Sequence, residues 1–278
     1  MISHPLELIA LNEFRRWMIR GDQPKAETSL RQMLHREPNL PGVHLALARL
    51  RWSGPDYLAW LAWMHNRFKP GLYLEIGVES GRSLALAGAK TQVIAIDPEP
   101  LGDPLHNCAA ATQLYRQTSA DFFSKIPQES GLQQRGFDLA FIDGDHRFES
   151  ALDDFIALER HAAPGAFILL HDTLPLSENT SNRVRQTGFY SGDVWKIVPC
   201  LRALRPDLKI TTLPTAPTGL TVVTGLDAQS SLLSERRHLI TEVYGRLPSA
   251  NAINTPDELL SIGKNDPEWF TDWLENER

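Results

Sequence analysis

Short apolar runs alternate with amphipathic stretches between residues 70 and 226. The runs predict strands at "LYLEIG", "QVIAID", "LYRQT", "FDLAFID", "AFILLHD", "LKITTL" and "LTVVTG". Helix-like segments such as "SGRSLALAGA" and "RFESALDDFIALERHA" lie between them. This alternation predicts an α/β fold, a doubly wound, seven-stranded, mostly parallel sheet with helices on both faces. Because only "PTAPTG" separates the last two strands, we expect the last strand to run antiparallel.

Helical periodicity flanks this region on its N-terminal side. Residues 1–69 are predicted to form a helical extension, in which Ala26, Leu30 and Met33 recur at helical spacing before Pro38. "AETSLRQMLHREPNL" resembles the second helix of a tetratricopeptide repeat. Stacked repeats need about three units to bury a core, so we expect this extension to pack on the main domain or to bind a second subunit or a protein partner.

A helical tail is predicted over residues 227–278. In "TPDELL", Thr255 is expected to cap a helix, with Glu258 completing a capping box. "DPEWFTDWL" predicts one more helix, whose Trp269 and Trp273 lie one turn apart. We expect these two rings to dock the tail on the domain between residues 70 and 226.

Composition narrows the class of protein. The 278 residues carry a net charge of −6, without a cluster of basic residues, which argues against a nucleic-acid partner. The first residues lack the basic start of a secretory signal, and no apolar run is long enough for a membrane span. Cys108 and Cys200 stand in apolar, helical contexts and are expected to be reduced. We expect a soluble, cytoplasmic protein.

The stretch "YLEIGVESGRS" predicts a strand, a tight loop and a helix. Gly77 and Gly81 allow close approach of a ligand, and the start of the next helix offers unpaired N–H groups to an anionic moiety. About twenty residues later, Asp97 ends the second strand, where a carboxylate accepts hydrogen bonds from ribose hydroxyls. Alternatively, the glycines serve only a turn and Asp97 caps a helix.

Together these features resemble the S-adenosylmethionine site of the class I methyltransferases, which have a Rossmann-like fold. The resemblance places Glu75 near the methionine amino group, Asp97 at the ribose, and "QTSAD" beside the adenine. The predicted cofactor-binding residues are Glu75, Gly77, Gly81, Ser83, Asp97, Ser119, Asp121 and Asp143.

Titratable residues follow two neighbouring strands. Asp143 ends "FDLAFID", and His171 and Asp172 end "AFILLHD". Parallel neighbours lie about 4.8 Å apart and end at the same edge, which is where open α/β sheets bind ligands. Two carboxylates and an imidazole can bind a divalent cation, so Asp143, His171 and Asp172 are candidate metal ligands.

The same stretches resemble the metal-dependent O-methyltransferases that act on sugars, and more distantly the catechol-type enzymes. The resemblance spans roughly residues 57 to 226. It implies that Asp143 is a catalytic metal ligand, His146 the catalytic base, and Asp172 a second ligand. The third ligand position is His171 here, where relatives often have Glu, so the cation (Mg²⁺ or Mn²⁺) stays open. Asp145 is expected to cap the following helix.

This resemblance implies transfer of a methyl group to a hydroxyl of a sugar, a glycan or a glycosylated natural product. Residues 173–192 lack a period, as active-site lids often do, and Arg183, Arg185 and Tyr190 are possible substrate contacts; a connector without a role is the alternative. Two other functions stay open: an enzyme like the cephalosporin hydroxylases on the same fold, or a binding protein with a vestigial cofactor site.

Overall fold

The computed structural model describes residues 4–275. One seven-stranded sheet has the order β3-β2-β1-β4-β5-β7-β6. Its strands are β1 (Leu72–Ile76), β2 (Gln92–Ile96), β3 (Ala111–Tyr115), β4 (Phe137–Ile142), β5 (Ala162–His171), β6 (Lys209–Leu213) and β7 (Leu220–Thr224). Strands β1 to β5 pair in parallel, and β7 is antiparallel to both of its neighbours. The predicted fold class is confirmed.

Helices cover both faces of the sheet and both ends of the chain. They are α1 (Pro5–Ile19), α2 (Gln23–Arg36), α3 (Pro41–Arg51), α4 (Tyr57–Phe68), α5 (Ser119–Ser124), α6 (Leu132–Arg135), α7 (Phe148–Glu159), α8 (Ile197–Leu204), α9 (Leu232–Glu235), α10 (Arg237–Tyr244), α11 (Ser249–Asn254), α12 (Pro256–Leu260) and α13 (Pro267–Glu275). No helix within residues 4–275 is long and apolar enough to cross a membrane.

The two faces of the sheet bury separate apolar clusters, because successive side chains of a strand point to opposite faces. Leu74 and Ile94 pack with Phe155 of α7 and Leu201 of α8 on one face. On the other, Tyr73 and Val93 pack with Trp60 of α4 and Phe270 of α13. Trp269 and Trp273 lie against this second cluster, as expected of residues that dock the tail. Strands buried on both faces read as continuous apolar runs, which is why the sequence predicts them well.

The first three helices bury a small core of their own. Ala10, Leu30 and Val43 pack together there, and the same cluster includes Leu176, which follows β5. The guanidinium of Arg51 also donates to the carbonyl of Leu176 over 3.1 Å. The extension therefore packs on the main domain, and it does so through the segment that joins β5 to α8.

Three local predictions are wrong. In place of the helix expected after the glycine loop there is a single 3₁₀ turn, Leu84–Leu86. The reason is that the chain soon enters a second turn, in which the N–H of Thr91 donates to the carbonyl of Gly88, and this turn leads directly into β2. The predicted third strand, 114–118, begins instead at Ala111. Thr255 donates its hydroxyl to Asn251 and makes no side-chain cap, so the capping box is absent.

Both cysteines are free thiols, as expected. Cys200 is buried in α8, but Cys108 lies outside any helix, just before β3. Its sulfur lies 3.3 Å from the carbonyl of Leu84 and 3.2 Å from the hydroxyl of Thr112. The apolar character of both positions is therefore predicted well, whereas the helix around Cys108 is not.

Candidate active site

A cavity of about 1160 Å³ opens at the carboxyl ends of β1, β2, β4 and β5. It lies where the strand order reverses between β1 and β4, the position at which open α/β sheets bind ligands. The glycine loop, the start of α5, one face of α7 and residues 143–146 form its walls. Its volume exceeds the roughly 300–1,000 Å³ that one drug-sized ligand fills, so it has room for a cofactor and an acceptor together.

The glycine loop is held in place by its neighbours. Gly77 has φ +85°, and a Cβ there would lie 2.0 Å from the carbonyl oxygen of Asp143. Gly81 has φ +76°, and a Cβ there would lie 1.8 Å from the carbonyl oxygen of Pro104. Both positions therefore need glycine for their backbone angle and for close packing. The loop after β1 and the loop after β4 touch directly at Gly77.

Asp97 ties the second strand to this loop. One carboxylate oxygen accepts hydrogen bonds from the backbone N–H groups of Val78 and Glu79, each 2.8 Å long. The other accepts from Glu99 N–H over 2.8 Å, which leaves that oxygen one further acceptor position. Asp97 is only 9% exposed and lines the cavity. It can accept from a ribose hydroxyl while it fixes the loop.

Glu75 lies behind the cavity wall and is fully buried. It accepts hydrogen bonds from the Tyr73 hydroxyl over 2.7 Å and from the Ser83 hydroxyl over 2.5 Å. Burial raises the pKa of Glu75 to about 8, although both of these hydrogen bonds lower it. Ser83 lines the cavity, so it connects Glu75 with whatever occupies that space.

The loop after β3 brings one of its two predicted residues to the cavity. Ser119, the first residue of α5, lines it. Asp121 is exposed and serves the helix instead: its backbone N–H donates to the hydroxyl of Thr118, which in turn donates to the Asp121 carboxylate. Sequence reasoning missed Asp154 of α7, a buried carboxyl that lines the cavity near Ser119. The sequence pattern places Asp154 off the apolar face of this helix, so it gave no signal of the burial.

Three titratable side chains converge at the other end of the cavity. Asp143, His146 and Asp172 each offer one ligand atom, and these atoms lie within 4.8 Å of one another. The Nδ1 atom of His146 lies 3.2 Å from Asp172 and 3.0 Å from the carbonyl oxygen of Tyr190. The His146 ring also stacks on the ring of Tyr190, with centroids 5.6 Å apart. Two carboxylates and an imidazole are a donor set that suits a divalent cation.

His171 lies deeper, between the two carboxylates. Its Nδ1 atom is 3.1 Å from Asp143 and 3.6 Å from Asp172, and its ring lies 4.3 Å from that of Tyr57. Burial lowers the pKa of His171, but the charges of Asp143 and Asp172 outweigh it and raise that pKa to about 9. The three predicted ligands thus lie together, and in the absence of a cation the imidazolium of His171 offsets the two negative charges.

Asp172 is held in an unusual backbone conformation. Its φ is +61°, a left-handed value that is uncommon outside glycine, although aspartate adopts it more readily than most residues. The hydroxyl of Thr218 donates to its carboxylate over 2.5 Å, and burial raises the pKa of Asp172. Strained residues of this kind concentrate at functional sites.

Asp145 does not cap α7, so that prediction is wrong. Its carboxylate is exposed and accepts from the hydroxyl of Ser150 over 2.9 Å. The first N–H of the helix, on Phe148, donates instead to Asp193 over 2.9 Å. Asp193 is itself paired with Lys196. A residue 45 positions away thus performs the capping, which no local pattern indicates.

Residues 173–192 are irregular apart from one 3₁₀ turn, Glu178–Thr180. Of the three predicted contacts on this segment, only Tyr190 lines the cavity. The guanidinium of Arg183 pairs with Glu149 over 2.7 Å, and that of Arg185 donates to backbone carbonyls of its own loop.

The cavity wall at residues 188–190 rests on the N-terminal helices. The N–H of Gly188 donates to the side-chain oxygen of Asn39 over 2.7 Å. The ring of Phe189 stacks on His44 of α3 with centroids 5.4 Å apart. The helical extension therefore supports the side of the cavity that is next to His146.

Residues 74–173 match the family described as "Methyltransferase domain". No curated protein matches the chain. The matched residues contain the glycine loop, Asp97 and the cluster at Asp143, His146 and Asp172.

Three solved structures are similar to part of this chain. Cofactor-bound Rv0187 from MTB is 17% identical, with 66% of this chain and 88% of that chain covered and a TM-score of 0.49. An O-methyltransferase from Bacillus cereus, in complex with SAH, is 17% identical over 62% of this chain and 81% of that one, with a TM-score of 0.47. TomG from Streptomyces achromogenes, an O-methyltransferase of tomaymycin synthesis in complex with SAM, is 16% identical over 65% and 86%, with a TM-score of 0.48.

The family match falls on the residues that form the cavity. A parallel sheet with an antiparallel β7, a glycine loop after β1 and a carboxylate after β2 are arranged there in the order of a class I methyltransferase. Residues 74–173 are therefore similar to a methyltransferase domain, and they contain both the glycine loop and the cluster at Asp143, His146 and Asp172.

Proposed function

We propose that the protein is an S-adenosylmethionine-dependent methyltransferase, and that it transfers the methyl group to a hydroxyl of a sugar, a glycan or a glycosylated natural product with the help of a divalent cation. The observation that carries the proposal is the convergence of Asp143, His146 and Asp172 on one spot at the cavity edge. An alcohol needs its proton removed as the new bond forms.

The chain's own residues supply most of this chemistry. Asp143 and Asp172 would hold the cation, which when bound lowers the pKa of a coordinated hydroxyl and fixes its oxygen. His171 completes this ligand set only in its neutral form, so cation binding and loss of the His171 proton are linked. A bound cation would thus replace the imidazolium of His171 as the positive charge next to the two carboxylates.

His146 is the proposed base. The Tyr190 carbonyl can only accept a hydrogen bond, so the Nδ1 atom that lies 3.0 Å from it carries the ring hydrogen of neutral His146. The lone pair is then on Nε2, which is the atom free to take the proton of the acceptor hydroxyl. The stacked ring of Tyr190 holds the imidazole in this orientation.

A vicinal diol suits this end of the cavity best. Two adjacent hydroxyls could be held at once, one by His146 and one by the cation that Asp143 and Asp172 would bind. The rings of Tyr57, Phe189 and Tyr190 line the same end, and aromatic rings offer a flat apolar surface with little entropy to lose. A pyranose presents C–H groups to such a surface and hydroxyls at its rim.

Transfer of labelled methyl groups from S-adenosylmethionine tests the proposal. The acceptors are methyl glycosides with vicinal hydroxyls, the same glycosides with one hydroxyl of the pair blocked, and catechol. We expect transfer to the free diols that EDTA abolishes and Mn²⁺ or Mg²⁺ restores. Transfer that EDTA leaves unchanged contradicts the role of the cation, and transfer only to amines contradicts the hydroxyl acceptor. Calorimetry with S-adenosylhomocysteine in EDTA shows separately that the protein binds its cofactor.

A further inference from the structure

Exposed apolar side chains are concentrated on α1. Nine large apolar side chains are exposed within residues 4–275, and five of them lie on this helix: Leu6, Leu8, Ile9, Met18 and Ile19. Ile19 is 86% exposed and Ile9 is 56% exposed. Single exposed apolar residues are ordinary on a protein surface, whereas several on one element mark an interaction site.

The opposite face of α1 fixes the helix to the rest of the extension. Ala10 and Phe14 pack in the small core that α1 shares with α2 and α3. The carboxylate of Glu7 also accepts a hydrogen bond from the N–H of Gly42 over 2.5 Å. The exposed side chains therefore belong to a helix that is held in place, and they form a fixed surface.

Basic side chains share this exposed face. At 100° per residue, an arc of roughly 140° contains Leu8, Ile9, Asn12, Arg15, Arg16, Ile19 and Arg20. No carboxylate within residues 4–275 lies at ion-pair distance from the three arginines. Arginine can bury its aliphatic stem among apolar groups and keep its guanidinium at a polar boundary.

The extension and the whole chain differ in the sign of their charge. Residues 1–51 hold eight basic and five acidic residues, a net charge of +3, whereas the chain carries −6. An anionic surface would therefore attract the extension and repel the rest of the protein. This asymmetry would orient the molecule with α1 towards the surface.

A lipid surface fits this face better than a second copy of the chain does. Two copies that meet through α1 would bring six arginines together, with only Glu13 of each copy to pair with them. Such a contact is unfavourable because like charges oppose each other across it. Nucleic acid would pair with the arginines but would leave Leu8 and Ile9 exposed. Anionic headgroups pair with arginine, and the acyl chains beneath them take up apolar side chains.

We propose that α1 binds the surface of an anionic membrane, with its apolar side chains in the acyl boundary and its arginines at the lipid phosphates. The helix lies in the plane of the surface, because its 15 residues are fewer than the roughly 20 that a span needs. The proposal does not depend on the acceptor or on the reaction.

Flotation of the full chain with lipid vesicles tests the proposal. The vesicles consist of phosphatidylcholine alone, or of equal parts of phosphatidylcholine and phosphatidylglycerol, at low and at high salt. The apolar variant carries Leu8→Ser and Ile19→Ser, and the charge variant carries Arg15→Gln and Arg16→Gln. All four side chains are exposed, so the substitutions remove no buried contact.

Each variant has a matched control outside the extension. Leu239→Ser with Val243→Ser changes two exposed apolar residues of α10. Arg236→Gln with Lys264→Gln removes two positive charges from exposed residues. The controls thus change apolar surface and net charge by the same amounts as the α1 variants do.

We expect wild type to float with the phosphatidylglycerol vesicles but not with phosphatidylcholine alone, and high salt to weaken this binding. The charge variant should bind roughly 25-fold more weakly, at about fivefold for each arginine. The apolar variant should lose about tenfold or more, because its side chains no longer enter the acyl boundary. Both controls should bind as wild type does.

Three results would overturn the proposal. The first, which needs no variant, is a wild-type protein that floats with neither vesicle or equally with both. The second is an equal loss of binding in the α1 variants and in their controls. The third is a wild-type dimer in analytical ultracentrifugation that the apolar variant dissociates, because a second copy would then cover this face.

Discussion

The two ends of the cavity are built in different ways. At the cofactor end, Asp97 and Glu75 find their hydrogen-bonding partners within residues 73–99, on the two strands and the loop that joins them. At the reacting end, the partners of His146 and Asp172 are Tyr190 and Thr218, which come from distant parts of the chain. The hydrogen bonds of the cofactor end join residues that are close in the sequence. Those of the reacting end join distant parts of the chain, so they form only when the whole domain has folded.

This difference predicts that cofactor affinity and turnover depend on different residues. The cofactor end depends on backbone geometry, so its most sensitive positions are glycines. The reacting end depends on titratable side chains, whose removal leaves the backbone of the glycine loop in place. Substitutions at the two ends should therefore have different effects on cofactor affinity and on turnover, and the predictions below use that distinction.

Gly77→Ala should have the largest effect, because Gly77 is where the two ends touch. A Cβ there lies 2.0 Å from the Asp143 carbonyl, so the loop must move away from both the cofactor and the reacting edge. We expect loss of cofactor binding and of turnover, and a free energy of unfolding lower by about 2 kcal/mol or more. Calorimetry and thermal unfolding measure these effects.

Gly102→Ala is the matched control for this change. Gly102 also has a positive φ, +61°, but nothing lies within 4 Å of an added Cβ. It should cost about 1 kcal/mol of stability and leave cofactor affinity unchanged. If Gly77→Ala behaves in the same way as Gly102→Ala, the packing of the loop is not what shapes the cofactor end.

Asp143→Ala should abolish turnover but leave the affinity for S-adenosylhomocysteine within about threefold. The substitution removes a carboxylate of the proposed cation site, while the backbone carbonyl that packs on Gly77 remains. Single-turnover methyl transfer and calorimetry give the two quantities. Glu242→Gln, which changes an exposed carboxylate on α10 paired with Arg246, serves as the control and should keep its activity. Equal loss of binding and turnover in Asp143→Ala would remove the metal hypothesis.

His146→Ala should slow methyl transfer by roughly 10²–10⁴-fold, the range for a lost general base. The pH–rate profile should also change shape, because no base is left at this position. His238→Ala, an exposed histidine on α10, provides the comparison. A pH–rate profile with the same shape in wild type and His146→Ala would contradict the role of base.

Glu75→Gln should have the smallest effect on the site. It should change how the free energy of unfolding depends on pH. The folded protein raises the pKa of Glu75 from its ordinary value of 4.5 to about 8. The folded state thus holds a proton that the unfolded state releases above about pH 4.5, and this stabilisation is lost as pH rises towards 8. Glutamine does not ionise, so the variant should gain on wild type between pH 5 and pH 9. Thermal unfolding of the cofactor-free protein at pH 5, 7 and 9 measures this, and the difference in Tm between the two proteins should grow with pH, by roughly 2–4 °C per kcal/mol. Parallel curves for the two proteins would mean that Glu75 is ionised throughout.

The same difference between the two ends explains how much the sequence predicts. The strands and the glycine loop are predicted correctly because apolar runs, Gly77, Gly81 and Asp97 form a local pattern. The prediction of a helix after the loop is wrong because only eight residues, one of them Gly88, lie between Ser83 and β2. They leave room for only one 3₁₀ turn.

At the reacting end, sequence identifies the residues but not their arrangement. Asp143, His171 and Asp172 are expected together because neighbouring strands end at one edge. The position of His171 beneath the carboxylates, and of His146 beside them, depends on side-chain directions set by Tyr190 and Thr218. Asp193 as the cap of α7 and Asp154 in the cavity depend on tertiary packing alone.

The contacts of Asn39 with Gly188 and of His44 with Phe189 have a consequence for how acceptor preference can change between homologous proteins. Because the helical extension and residues 188–190 contact each other, a substitution in only one of them would displace the cavity wall next to the proposed acceptor position. In a set of homologous sequences, positions 39, 44, 188 and 189 should therefore covary, and a chimaera that exchanges the first 51 residues should change which acceptor is methylated while cofactor use stays the same.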